Sequence, residues 1–199
     1  MNKRIIKQSE YADLLKIADE KKVQGLYKES IEICESILHD DLECAEAYEE
    51  IGDNYLSLRE YDKAIRALNR ALDINPESAN AHYLLGFTYS AMNKWDYSID
   101  ELETADAIEP NHPEILRCLG WSFFHSGSRK QGIVLLERAS FMAKDDSLIL
   151  CDLGVCYLNE RQFDKAEEVF QAVLNLEPSN DKARECLKAC NYFRMKLKA

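Results

Sequence analysis

The chain has 199 residues, enough for an ordinary domain with a real core, and its 46% apolar and 31% charged residues are those of a soluble globular protein. Seven Gly and four Pro are too few turns for an all-β sandwich or a disordered tract. A net charge of −11 sets the surface against phosphate backbones and anionic membranes, so neither nucleic acid nor membrane is an expected partner.

Residues 1–10 read as an N-terminal extension. Lys3, Arg4 and Lys7 are not followed by an apolar stretch, so no signal peptide is predicted. Apolar runs are short, as in Ile133-Val134-Leu135-Leu136, nowhere near a membrane span. Seven cysteines, an odd count with no C-x-x-C pair, read as reduced thiols, and the expected address is the cytoplasm.

From residue 11 the chain repeats itself. Tyr55, Tyr89, Phe123 and Tyr157 are each 34 residues apart, as are Gly52, Gly86, Gly120 and Gly154. Tyr27, Tyr61, Trp95, Arg129 and Phe163 keep the same spacing. Five units follow: 11–44, 45–78, 79–112, 113–146 and 147–180. Each reads as two amphipathic helices. In unit 45–78 the first helix carries Tyr48, Ile51, Tyr55 and Leu56, and the second carries Tyr61, Ala64, Ile65, Leu68, Ala71 and Leu72. Asn75-Pro76 ends that pair and Glu77-Ser78 offers an N-cap to the next. Pro110 and Pro178 end the third and fifth units; the fourth has Lys144 there, then Asp145-Asp146-Ser147 as capping residues. Residues 181–199 read as a lone helix, more polar and basic, that closes the last apolar face.

A glycine inside a helix costs roughly 1 kcal/mol relative to Ala. Its recurrence at one register predicts close approach of a neighbouring helix, with Ala71, Ala105 and Ala139 as the complementary small residues.

With these residues in place the chain resembles the tetratricopeptide-repeat family. Unit 45–78 carries the pattern as Tyr48, Ile51-Gly52, Tyr55, Ala64, Leu68, Ala71 and Pro76; unit 147–180 carries it as Leu150, Leu153-Gly154, Tyr157, Ala166, Phe170, Val173 and Pro178. Units 79–112 and 113–146 depart at Ser98 and Gly132, where Ala is usual. Unit 11–44 is degenerate, with Ala18 in the glycine's place, Lys21 in the tyrosine's and Leu42 in the proline's. The resemblance implies an all-α fold: an α-α superhelix, or solenoid, of five helix pairs plus a C-terminal capping helix.

It also implies that the first helix of each pair lines a concave groove. The residues placed there are acidic at the start (Glu46, Glu49, Glu50, Asp53) and aromatic in the middle (Tyr83, Phe87, then Trp121 and Phe124 with Arg117 and His125). Aromatic clusters on a binding surface are common anchors, although the same residues would serve self-packing or contact with a second copy. The Lys and Asn set with which chaperone-binding members grip a C-terminal carboxylate is missing: Glu49 and Asp53, or Tyr83 and Phe87, stand where its first Lys and Asn belong.

Cys118, Cys151 and Cys186 form a ladder along successive units that could bind zinc with Asp152 or His125, but no ligand pair has a usual zinc spacing, so no metal is expected. His39, His82, His112 and His125 show no triad arrangement and no phosphate loop is present, so neither catalysis nor a cofactor is expected. The expected function is an adaptor or scaffold holding another protein or peptide, one with basic and bulky apolar residues, in the groove. A dedicated chaperone for a secreted or assembling partner, and a self-assembling homo-oligomeric subunit, are the alternatives.

Overall fold

Helix boundaries fall on the punctuation that recurs through the sequence. The computed structural model describes residues 2–198, with side chains over residues 10–196. These form α1 (Asn2–Val23), α2 (Tyr27–Asp40), α3 (Ala45–Ser57), α4 (Tyr61–Ile74), α5 (Ala79–Ala91), α6 (Trp95–Ile108), α7 (Pro113–Ser126), α8 (Arg129–Met142), α9 (Ser147–Asn159), α10 (Phe163–Leu176) and α11 (Asp181–Lys198). Among the described residues there is no strand.

The four complete units begin at Ala45, Ala79, Pro113 and Ser147, on the 34-residue frame. Ser78 caps α5 by accepting from the Ala81 N–H, and Asp146 caps α9 by accepting from Leu148 and Ile149. Asn2–Val23 contains no Gly or Pro, so α1 runs back through residues 2–10, which the sequence reading had set apart as an extension. Each turn within a pair places one residue in the left-handed region: Gly25, Arg59, Asn93, Gly127 and Arg161.

Contacts divide the chain into two compact units, residues 1–108 and 109–199. In the first, Ile31, Cys34, Ile37 and Leu38 of α2 pack with Tyr11 and Ala18 of α1 and with Ala47 and Ile51 of α3. A second cluster joins Leu56 of α3, Ala64 and Leu68 of α4, and Leu84 and Leu85 of α5. In the second unit one large cluster runs from Phe124 of α7 through Leu136, Leu153, Cys156 and Phe170 to Ala183 and Cys190 of α11. Each large apolar side chain so buried contributes about 1.5–3 kcal/mol. First helices also touch one another within each unit: α1 with α3, α3 with α5, α7 with α9 and α9 with α11.

The repeated glycines do mark close approach, but not to the alanines. A Cβ at Gly52 would lie 2.6 Å from Leu68, at Gly86 2.5 Å from Leu102, and at Gly154 2.8 Å from the Phe170 ring. Glycine therefore makes room for a large side chain one turn before Ala71, Ala105 and Val173. In α7 and α8 the backbones themselves meet: a Cβ at Gly132 would stand 2.4 Å from the Gly120 carbonyl oxygen. Ser98 solves the same register in α6 differently, its hydroxyl donating to the Gly86 carbonyl at 2.7 Å.

The closing helix is less polar on its outer side than its composition suggests. Ala183 and Cys190 cover the last apolar face, yet the outer side of α11 is not simply polar, since Tyr192, Phe193 and Met195 are 49%, 48% and 67% exposed. No described helix is long and apolar enough to cross a membrane.

Candidate functional site

The residues expected to line the groove lie on α3, α5 and α7, as their register requires. In the first unit the acidic residues are largely engaged within the chain. Lys22 of α1 reaches Glu50 at 3.0 Å and Asp53 at 2.8 Å, with Asp19 at 3.2 Å. Burial alone would lower the Lys22 pKa, but the hydrogen bonds and charges of Asp53 and Glu50 hold it above the usual lysine value. Glu50 is itself pushed up by burial, with Lys22 opposing. Beneath this pair, the Asn54 amide donates to the Ser30 hydroxyl at 2.8 Å and to the Glu50 carbonyl at 2.7 Å.

Glu49 accepts from the Ser78 hydroxyl at 2.5 Å and from the Asn80 amide at 2.7 Å, tying α3 to the start of α5. Glu46 is exposed. One turn beyond Asn80 stand Tyr83 and Phe87, half-buried, their rings stacked with centroids 6.3 Å apart. Both pack on the Leu56–Leu84–Leu85 cluster. The structure thus brings Glu49, Asn80, Tyr83 and Phe87 onto one continuous face.

In the second unit Arg117 binds Glu114 at 2.9 Å and Asp152 of α9 at 2.9 Å, a bridge between neighbouring first helices. Burial pushes the Asp152 carboxyl up while Arg117 pulls it down. Trp121 is half-buried against the main cluster, and its ring lies 4.3 Å from that of His125, which is exposed. Phe124 does not offer a surface: at 5% exposure it belongs to the core, with the Arg129 guanidinium 5.6 Å from its ring centroid. Partial burial and the Arg129 charge lower the His125 pKa.

Cys118 and Cys151 are buried and Cys186 is half-buried. Burial raises the pKa of Cys151 and Cys186, and pushes Cys34 and Cys156 up to about 12, so these thiols stay protonated and act as small apolar fillers. Among the described residues no three His, Cys, Asp or Glu side chains gather as a metal-binding set.

Lys22 of α1, which the repeat pattern does not single out, also lies beside the acidic edge. The groove register, carried one repeat back into the degenerate first unit, places Asp19 and Lys22 beside Glu50 and Asp53.

Paired helices with polar and aromatic residues on the faces of their first members define a helical-repeat protein. Family models for a TPR repeat and for the tetratricopeptide repeat match residues 52–93 and 147–180. The chain carries tetratricopeptide repeats. The solved structure of TTC0263, a thermophilic TPR protein in Thermus thermophilus, is similar at a TM-score of 0.78 and 16% identity, covering 92% of this chain and 99% of that one. Pseudomonas aeruginosa pilF is similar at 0.80 and 12% identity, covering 96% and 93%. YrrB, described as a TPR protein with an unusual peptide-binding site, is similar at 0.67 and 18% identity, covering 88% and 90%. No curated protein matches the chain in sequence.

Proposed function

We propose that this protein is a cytoplasmic, non-catalytic adaptor that holds a peptide segment of another protein against the faces of its first helices. The observation that carries this reading is the stacked Tyr83–Phe87 pair, half-exposed on the face that also holds Glu49. A peptide-binding site described for YrrB supports peptide capture as a use of this fold. Lys22 offsets one charge of the acidic edge, but Asp19, Glu46, Glu49, Glu50 and Asp53 leave it negative. A ligand with Lys or Arg beside a bulky apolar anchor therefore suits the first unit. In the second unit the anchor surface reduces to Trp121 and His125, because Phe124 is buried.

The test is the affinity of a purified native partner for the full chain and for Phe87→Ala and Trp121→Ala. Loss of an aromatic anchor costs on the order of 2 kcal/mol and acts through faster release. Unchanged affinity in both variants, with the fold intact, would remove these faces from the function.

A further inference from the structure

Two surfaces outside the first-helix faces are complementary to each other. The first is a hollow of about 490 Å³ in the second unit, lined by Leu158, Asn159, Arg161, Phe163, Phe193 and Lys196. Phe163 and Phe193 stack there with centroids 6.4 Å apart. A smaller hollow of about 300 Å³ shares Arg161 and Phe163 and adds Gln162, Asp164, Lys165 and Arg194, where Arg194 is paired with Asp164 at 3.1 Å and with Glu167 at 2.6 Å. The larger hollow has an apolar floor with Arg161 and Lys196 at its rim, and residues 181–199 beside it carry six Lys and Arg against two Asp and Glu in an otherwise acidic chain.

The second surface is the turn after α2. Where units two, three and five have proline, this turn has Leu42, 65% exposed. Asp40, Asp41 and Glu43 surround it, and the Asp41 carboxylate accepts from the Glu43 N–H at 3.0 Å, which fixes the turn. It is an apolar anchor in an acidic frame.

We infer that the basic-rimmed hollow beside Phe193 receives the Leu42 turn of a second copy of this chain. Leu42 fills the space between Leu158, Phe163 and Phe193, while Asp40 and Glu43 face Arg161 and Lys196. The two patches differ, so two copies related by a two-fold axis make the contact twice, whereas copies stacked head to tail make it once and leave one turn and one hollow free. A contact built on one anchor and a few exposed charges is weak, reversible and salt-sensitive. It uses neither Tyr83, Phe87 nor Trp121, and stands or falls separately from the peptide-binding reading.

Sedimentation of the full chain over a concentration series, at low and high salt, tests it. The expected result is a mass that rises above the monomer with concentration and falls back in high salt. Leu42→Asp and Phe193→Asp should each be monomeric alone, and their equimolar mixture should stop at a dimer, because it contains one intact turn and one intact hollow. If Phe193→Asp fails to fold by circular dichroism, an acetylated peptide of residues 38–43 replaces it as probe and should dissociate the wild-type assembly. A wild-type chain that stays monomeric at every concentration overturns the inference, even if the peptide occupies the hollow. So does association that both single variants retain.

Discussion

Arg59 and Arg161 adopt φ of 59°, in turns whose counterparts use Gly25 and Gly127. A left-handed backbone strains an L-residue by roughly 1–2 kcal/mol, part of which glycine's greater freedom in the unfolded chain would offset. Arg59→Gly should therefore raise stability by about 0.5–1 kcal/mol in urea unfolding; a loss would show the turn to be unstrained. Gly132→Ala has the opposite sign. Its Cβ would meet the Gly120 oxygen at 2.4 Å and the Phe124 nitrogen at 2.6 Å, both backbone atoms that cannot swing aside. The expected loss is about 1–3 kcal/mol, although alanine is the usual residue there and the better helix former. His125 has a folded-state pKa below 6.5. A depressed histidine pKa means that the folded state binds the proton less readily, so its contribution to stability is complete above 6.5 and is lost as pH falls through the depressed value. Titration by NMR should find that value below 6.5, and Arg129→Ala should raise it.

At the scale of elements, the helices were legible because each unit repeats its apolar register and its capping residues, so Ala45, Ala79, Pro113 and Ser147 could be read as helix starts. Packing between elements was less legible. The glycine register announced close approach, but not that Leu68, Leu102 and Phe170 fill the space. Phe124 has the register of a groove residue, yet Arg129 and the second-unit core enclose it. Lys22 lay hidden in a unit whose consensus residues are lost. Its removal should be felt across α1 and α3: Lys22→Ala leaves the half-buried Glu50 carboxylate without its cation, at a cost of about 1–3 kcal/mol near neutral pH. Burial already raises the Glu50 pKa, so the folded state holds that proton more tightly than the unfolded one. The penalty is then present above the raised pKa and is relieved as pH falls through it. A variant equally destabilised at both ends of that window would refute the Lys22–Glu50 account.

The whole molecule is built from helix pairs that cannot bury their apolar faces alone. Deleting residues 181–199 removes Ala183 and Cys190 from the second-unit core and should promote aggregation, seen as light scattering together with a lowered melting temperature. The central claim is that partners are held by first helices and that second helices supply the support behind them. Hydrogen exchange of the full chain, free and saturated with a purified partner, measures this most directly. Slowed exchange concentrated in α3, α5, α7 and α9 is the predicted result. Protection confined to α4, α6, α8 and α10, with the first helices unchanged, would contradict it.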